Sequence, residues 1–286
     1  MNLILQSLSA ERNAIDRIAN LADVTATDIS SGGRHAWRCD DVAYSEGLKA
    51  LIDTACYGVG IDCAWLPSAP EPGAKLGDFK LLAMDMDSTL ITIECIDEIA
   101  DMQGLKPQVS AITEAAMRGE IEFNESLTRR VALLKGLDAS ALQRVFDERL
   151  QLSPGAENML AAVKAAGIKT LLVSGGFTFF TDRMKAALEL DYAHSNVLEI
   201  VDGKLTGKVV GGIVNAEEKK LTVERVCAEL NIAPSQAIVM GDGANDLNMM
   251  KIAGLSVAFR AKPVVRAQAS VALNFVGLDG ILPILA

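Results

Sequence analysis

The chain has 286 residues, of which 50% are hydrophobic and 22% are charged. This composition predicts a folded protein of one large or two smaller domains and excludes a disordered chain. The 37 acidic and 27 basic residues give a net charge of −10, which argues against nucleic acid and anionic membranes as partners because like charges repel. No segment is predicted to span a membrane, and no secretory signal is expected at the amino terminus.

The number and spacing of the cysteines and histidines restrict the possible metal sites and catalytic groups further. The cysteines are odd in number and form no CxxC pair, which predicts reduced thiols and a cytoplasmic location. The only two histidines, His35 and His194, lie far apart in the sequence. A histidine-based metal site or catalytic triad is therefore not expected.

The first 66 residues predict a small α+β domain. Strands are expected at 2–8, 24–29, 35–38 and 61–65, and helices at 10–21 and 46–55. This order resembles the ferredoxin-like or ACT-type regulatory module, and nothing in it identifies a bound effector. Three prolines and two glycines fall within residues 66–78, so 67–78 is expected to be a linker to a second domain at 79–286.

The second domain predicts an α/β fold with a doubly wound parallel sheet. Apolar runs at 80–84, 169–173 and 237–240 are each followed by small or acidic residues and a helical pattern, as is typical of parallel strands with helices on both faces. Ligands bind at the carboxyl ends of such strands. The mostly helical segment at about 93–152 is longer than a crossover requires and predicts an inserted cap. A hairpin is expected at Asp202-Gly203.

Each of these strand ends carries residues that have both a structural and a catalytic interpretation. Asp85 and Asp87, in Asp-Met-Asp-Ser-Thr, suit a helix N-cap, or a nucleophile with an acid/base partner for phosphoester hydrolysis. Ser174 and Gly175 suit an ordinary turn, or a backbone cradle for phosphate. Asp242 begins the Asp-Gly-Ala-Asn-Asp segment, which suits an Asx turn, or oxygen ligands for a hard cation.

The four motifs together resemble a known signature. Asp-Met-Asp-Ser-Thr, Ser-Gly-Gly, a lysine and Gly-Asp-Gly-Ala-Asn-Asp follow one another in the order found in haloacid dehalogenase phosphatases. The resemblance implies that Asp85 is the phosphorylated nucleophile and that Asp87 acts first as general acid and then as general base. It also implies a Mg²⁺ site formed by Asp85, the backbone carbonyl of Asp87 and Asp242, with Asp246 in or near the ligand shell.

The same resemblance implies that the remaining motif residues bind the phosphate group or balance its charge. Ser174, Gly175 and Asn245 would hold phosphate oxygens or the outer shell of the metal. Lys219 would balance the negative charge, and it is preferred over its neighbour Lys220 on its spacing to the following leucine. A lysine on a helix, taken alone, would be a solvated charge.

Residues 117–134 are similar to the cap of the phosphoserine phosphatase family. This resemblance implies that Glu94 receives the substrate ammonium group and that Arg130 binds its carboxylate, which a planar guanidinium matches. Met117 and Phe123 would close over the substrate. The implied substrate is O-phospho-L-serine, and the implied reaction is the last step of L-serine biosynthesis. The oligomeric state is left open, with a homodimer among the options.

Two alternatives use the same motifs. A phosphotransferase would pass the phosphoryl group to another alcohol, such as homoserine, and the motifs do not separate it from a hydrolase. A regulatory protein, either a phosphorylated switch or an amino-acid sensor, would need neither Asp87 nor a cap, so both features favour turnover.

Overall fold

The computed structural model describes residues 1–67 and 75–286, apart from the side chain of Met117. Strands and helices alternate along most of the chain. The strands are β1 (Asn2–Ser7), β2 (Thr27–Asp28), β3 (His35–Cys39), β4 (Asp62–Leu66), β5 (Leu81–Met84), β6 (Lys169–Phe177), β7 (Tyr192–Val201), β8 (Lys204–Val210), β9 (Ala237–Gly241), β10 (Leu255–Phe259) and β11 (Val271–Leu273). The helices are α1 (Arg12–Leu21), α2 (Glu46–Gly58), α3 (Cys95–Asp101), α4 (Lys106–Met117), α5 (Phe123–Leu133), α6 (Ser140–Glu148), α7 (Ala156–Ala165), α8 (Thr178–Ala187), α9 (Ala216–Glu229), α10 (Leu247–Met250), α11 (Pro263–Arg266) and α12 (Ile281–Ile284).

The N-terminal strands form a four-stranded antiparallel sheet in the order β2-β3-β1-β4. Apolar side chains of α1 and α2, including Ile15 and Ile52, pack against Leu3 and Trp37 on the sheet. The predicted strand and helix order is confirmed. The predicted strand at 24–29 is wrong in length, because the strand covers only Thr27–Asp28, which is an exposed edge strand with β3 on one side alone.

The second sheet has seven strands in the order β11-β10-β9-β5-β6-β7-β8. All neighbouring pairs are parallel except β7 and β8. Strands β5, β9 and β10 are buried along their whole length, and separate apolar clusters cover the two faces of the sheet. The three strands predicted from the sequence are the neighbours β9, β5 and β6, so the doubly wound α/β fold and the meeting of their carboxyl ends are confirmed.

An inserted helical cap, also predicted, consists of α3 to α6 between β5 and β6. The chain enters and leaves the cap side by side, since the Thr92 N–H donates to Gln151 O and the Ser153 N–H donates to Leu90 O, both at 2.9 Å. The predicted hairpin joins β7 to β8 through Asp202 and Gly203, whose φ angles of 49° and 74° are the left-handed values that a tight hairpin turn requires.

We propose domain limits of 1–66 and 79–286, with a linker at 67–78 and a cap at about 93–152. Of the linker, residues 68–74 lie outside the described part of the chain, while Leu76–Asp78 forms a short 3₁₀ turn. The five cysteines all lie in the described residues and are unpaired there. Among the described helices, none is both long enough and apolar enough to cross a membrane.

Candidate active site

The chain turns sharply at the end of β5. Asp85 follows this buried strand directly, and its Oδ1 accepts the Met86 N–H at 2.6 Å. The next turn contains Ser88 with a φ of 55°, a left-handed conformation that a residue with a side chain rarely adopts. The Ser88 hydroxyl donates to Glu94 Oε1 at 2.6 Å. The turn thus brings Asp85, Asp87 and Glu94 to the same cavity.

Lys219 is buried between two carboxylates. Its Nζ lies 2.6 Å from Asp85 Oδ2 and 2.7 Å from Asp246 Oδ1. Burial alone would lower the pKa of Lys219, but the charges of Asp246 and Asp85 outweigh burial and raise it. Lys220 is partly exposed and pairs with Glu217. The geometry therefore favours Lys219 of the two lysines considered.

Three carboxylates gather beside Lys219. Oxygens of Asp85, Asp242 and Asp246 lie within 4.8 Å of one another. Burial, and next the charge of Asp246, raise the pKa of Asp242 to about 7, against a 3.1 Å hydrogen bond that the Thr89 hydroxyl donates to Asp242 Oδ1. A cluster of oxygen ligands with an excess of negative charge suits a hard divalent cation such as Mg²⁺.

Within this cluster, Asp246 differs from the other two carboxylates. Its Oδ1 accepts from Lys219, and its Oδ2 accepts the backbone N–H groups of Asp242 at 3.1 Å and Gly243 at 2.9 Å. Both oxygens are therefore engaged by the protein. Asp246 holds the lysine and the Asp242 loop in place beside the position that a cation would take.

The phosphate turn, which we define as Ser174–Gly176, interrupts β6. Its pairing with β7 is irregular between Val173 and Phe177, and the Gly176 N–H donates to Ser174 Oγ at 2.9 Å. A Cβ atom on Gly176 would lie 2.8 Å from Asp87 Oδ2, closer than real Cβ contacts allow. Glycine is required here because the backbone passes directly against the Asp87 carboxylate.

The cap contributes one face of α5 to the same cavity. Phe123, Ser126, Leu127 and Arg130 line it, and their spacing places all four on one side of the helix. Phe123 reaches the phosphate turn, since its Cζ lies 3.2 Å from the Cβ position of Gly175.

Arg130 is half-buried. Its Nε donates a long hydrogen bond, 3.4 Å, to Ser126 O. Among the residues that the structure describes, no carboxylate lies within 4.0 Å of its guanidinium. Burial lowers the pKa of Arg130, while the charges of Glu94, Asp97 and Asp87 oppose the shift. An unpaired guanidinium inside a cavity is free to bind an anion.

The cap and the strand ends enclose a cavity of about 410 Å³. Most of the site residues predicted from the sequence line it, namely Asp85, Asp87, Glu94, Phe123, Arg130, Ser174, Gly175, Asp242 and Asn245. Lys219 and Asp246 lie buried directly behind Asp85. The Met117 side chain lies outside what the structure describes.

Asp87 has an electrostatic environment suited to holding a proton. Burial, and next the charge of Glu94, raise the pKa of Asp87 to about 7, while a hydrogen bond from the Cys95 N–H to Asp87 Oδ1, at 3.2 Å, opposes the shift. A carboxyl group with a pKa near neutrality can both donate and accept a proton, which general acid–base catalysis requires.

Sequence reasoning missed several residues of the cavity wall. Lys262 lines the cavity, and its backbone N–H donates to Asp242 O at 3.1 Å. It follows β10, the neighbour of β9, so the rule that ligands bind at strand ends could have found it. Ser126 is buried, and its hydroxyl has no hydrogen-bond partner in the described part of the chain. No sequence motif marks Ser126.

The chain is similar in sequence to known hydrolases. The family model for haloacid dehalogenase-like hydrolases matches residues 79–254. A phosphoserine phosphatase from Polaromonas sp. strain JS666 is 59% identical to this chain over 216 residues, which make up 74% of this chain and 92% of the relative.

Solved structures are similar over the whole chain or over its larger part. A haloacid dehalogenase family hydrolase from Salmonella enterica subsp. enterica serovar Typhi superposes with a TM-score of 0.89 at 34% identity and covers 100% of this chain and 99% of its own. A phospho-aspartyl intermediate analogue of a phosphoserine phosphatase superposes with a TM-score of 0.69 at 38% identity and covers 73% and 99%. The chain therefore belongs to the haloacid dehalogenase-like hydrolase family, and its relatives there include phosphoserine phosphatases.

Proposed function

We propose that the protein hydrolyses O-phospho-L-serine to L-serine and inorganic phosphate through a phosphorylated Asp85. The observation that carries this proposal is a single cavity in which two carboxylates, the phosphate turn and an unpaired arginine face one another. The high identity to phosphoserine phosphatases supports the choice of substrate.

The first step transfers the phosphoryl group to the protein. An oxygen of Asp85 attacks phosphorus as the bond from phosphorus to the serine oxygen breaks. Asp87 donates its proton to the departing serine oxygen, which leaves as a hydroxyl. The raised pKa of Asp87, about 7, supports this role because a protonated fraction persists near neutral pH.

The second step releases phosphate. Asp87, now ionised, takes a proton from a water molecule whose oxygen attacks the phosphorus of phosphorylated Asp85. The bond from phosphorus to Asp85 breaks, the Asp85 carboxylate is restored, and inorganic phosphate leaves. The proton taken from water returns Asp87 to its starting form.

Several residues would stabilise the charge of the transferring group. When bound, Mg²⁺ supplies positive charge at the phosphoryl oxygens. It would be held by Asp85, the Asp87 carbonyl and Asp242, with Asp246 behind them. Burial raises the pKa of Asp85, and the charge of Lys219, 2.6 Å away, opposes that shift and so favours the ionised nucleophile.

Phosphate oxygens would be bound by Ser174, Gly175 and Asn245, all of which line the cavity. The amino-acid part of the substrate would lie against the cap. Arg130 would bind its carboxylate and Glu94 its ammonium group, while Phe123 would cover it. The cap therefore selects an amino-acid phosphate, and the strand ends carry out the chemistry.

The test is Mg²⁺-dependent phosphate release from O-phospho-L-serine, measured beside O-phospho-L-threonine, a sugar phosphate and an aryl phosphate. We expect a strong preference for O-phospho-L-serine. Equal rates on all four would contradict the assignment of O-phospho-L-serine as the substrate but would leave the proposed role of Asp85 intact. Adding a second alcohol tests phosphotransfer, which would lower phosphate release while serine release continues.

A further inference from the structure

We propose that Asn196 is a positioning residue that fixes the phosphate turn, so that Ser174 presents its hydroxyl to the substrate phosphate. Asn196 lies on β7, beside the irregular stretch of β6, and is buried with 1% of its surface exposed. It does not line the cavity and would act only through its neighbours. The inference rests on the proposed phosphatase function.

The side-chain amide of Asn196 joins two segments that build the phosphate end of the site. Its Nδ2 donates to the Gly175 carbonyl at 2.7 Å, and its Oδ1 accepts the Val214 N–H at 2.8 Å. Val214 directly precedes the Asn215 cap of α9, the helix that carries Lys219. One buried amide therefore ties the phosphate turn to the start of the lysine helix.

The bond to Gly175 sets the orientation of a peptide group. The C=O of Gly175 and the N–H of Gly176 belong to the same planar unit and point in opposite directions. With the C=O held by Asn196, the N–H is directed at Ser174 Oγ, to which it donates at 2.9 Å. Ser174 Oγ thus accepts a hydrogen bond from the backbone, and its own O–H is left to donate to a phosphate oxygen in the cavity.

The irregularity of β6 makes this tether necessary. Between Val173 and Phe177 the regular pairing with β7 is lost, so the backbone groups of the turn lack ladder partners that would fix them. A bulge without a tether could rotate its peptide groups. The Asn196 side chain replaces the missing ladder bond at Gly175.

The test compares the affinity for inorganic phosphate of the wild type, Asn196→Asp and Asn196→Ala, by calorimetric titration with Mg²⁺ present. Asn196→Asp keeps an oxygen for the Val214 N–H but sets a second oxygen against the Gly175 carbonyl. We expect both variants to bind phosphate about tenfold or more weakly, because a buried carbonyl loses its donor. Retained phosphate affinity in Asn196→Asp would overturn the proposal, because the bond to Val214 alone would then suffice.

Ser195→Ala is the matched control. The Ser195 hydroxyl is buried and hydrogen-bonds Thr181 Oγ1 at 2.7 Å, so its loss weakens the same strand without touching the phosphate turn. We expect lower stability in Ser195→Ala with unchanged phosphate affinity. A loss of phosphate affinity equal to that of the Asn196 variants would show that general loosening of β7 is the cause, and would also contradict the proposal.

Phosphate affinity separates this inference from the proposed function. If the wild type binds phosphate but does not hydrolyse O-phospho-L-serine, the substrate assignment fails while the role of Asn196 can still be judged. The affinity for L-serine, the proposed product, adds a second readout. The hydrogen bonds of Asn196 go to Gly175 and Val214 and not to Glu94 or Arg130, so the Asn196 variants should bind L-serine as the wild type does.

Discussion

At the scale of single residues, the site buries carboxylates and a lysine next to one another. Asp85 and Asp246 share one buried cation, Lys219, and Asp242 adds a third carboxylate to the cluster. Charges in a low-dielectric interior interact strongly and cannot be left unpaired without cost. Stability and catalysis are therefore coupled at this point, and removal of any one charge should affect both.

Lys219→Ala tests this coupling. The substitution leaves Asp85 and Asp246 without their cation, so we expect the free energy of unfolding without Mg²⁺ to fall by about 3–5 kcal/mol. Lys220→Ala, on the same helix but partly exposed, should change it by less than about 0.5 kcal/mol. Urea unfolding of the two variants and the wild type measures the difference. Equal losses in both variants would contradict the account.

Asp87→Asn separates the two chemical steps. Serine is a poor leaving group that needs a proton, so hydrolysis of O-phospho-L-serine should fall by about 10²–10⁴-fold. An aryl phosphate has a good leaving group and should still phosphorylate Asp85, but hydrolysis of the phosphoenzyme lacks its base. We expect a burst of the aryl alcohol close to one equivalent, followed by slow turnover. Full steady-state turnover of the aryl phosphate by this variant would exclude Asp87 as the base.

At the scale of elements, the cap is fixed to the core at two places. Its entry and exit segments are hydrogen-bonded to each other, as described above. The segment that follows α5 is bound to the β7–β8 hairpin, because the Gly136 N–H donates to Leu205 O and the Ala139 N–H donates to Gly203 O, both at 2.8 Å. The face of α5 that carries Arg130 is thus held over the strand ends by backbone bonds at its carboxyl end.

Arg130→Ala tests whether this face recognises the amino acid. A guanidinium bound to a carboxylate makes charge-assisted hydrogen bonds, so kcat/KM for O-phospho-L-serine should fall by about 10²-fold while that for an aryl phosphate should hardly change. Arg129→Ala is the matched control, since Arg129 is exposed and pairs with Glu125 on the same helix. An equal loss on both substrates in Arg130→Ala would mean that Arg130 supports the cap and does not bind the carboxylate.

The sequence predicts the strands and helices better than it predicts where they end or which side chains hold them in place. The strands β5, β6 and β9 are recognisable because each is an apolar run followed by motif residues, and Lys219 stands out by its place among the motifs. Asn196 and Ser126 carry no such mark, because their roles depend on neighbours that only the folded chain supplies. The strand predicted at 24–29 is longer than the observed β2, which is an edge strand that pairs with β3 alone.

At the scale of the whole molecule, the small N-terminal sheet docks on the end of the large one. Asp62 on β4 is buried, with 1% exposed, and accepts the backbone N–H groups of Asn274 at 2.7 Å and of Phe275 and Val276 at 2.9 Å. Gln6 on β1 donates to Gly280 O at 2.9 Å. Side chains of the N-terminal domain thus hydrogen-bond the backbone of the second domain. The contact between the two domains therefore depends on these specific hydrogen bonds.

Asp62→Asn tests this docking. An amide in place of the carboxylate retains one oxygen and faces the remaining N–H donors with its own NH₂ group. We expect the free energy of unfolding to fall by about 2–3 kcal/mol, with turnover little changed because Asp62 does not line the cavity. Asp28→Asn, an exposed carboxylate on the same sheet, serves as control. Thermal unfolding without a difference between the two variants would show that Asp62 does not hold the domains together.

The central claim is that turnover passes through a phosphorylated Asp85, and rapid quenching of the enzyme with phosphorus-labelled O-phospho-L-serine tests it most directly. We predict label on the peptide that contains Asp85 during turnover, loss of that label on chase with unlabelled substrate, and no labelled protein in Asp85→Asn. Phosphate release at the full rate without any labelled protein, or label on a different residue, would contradict it.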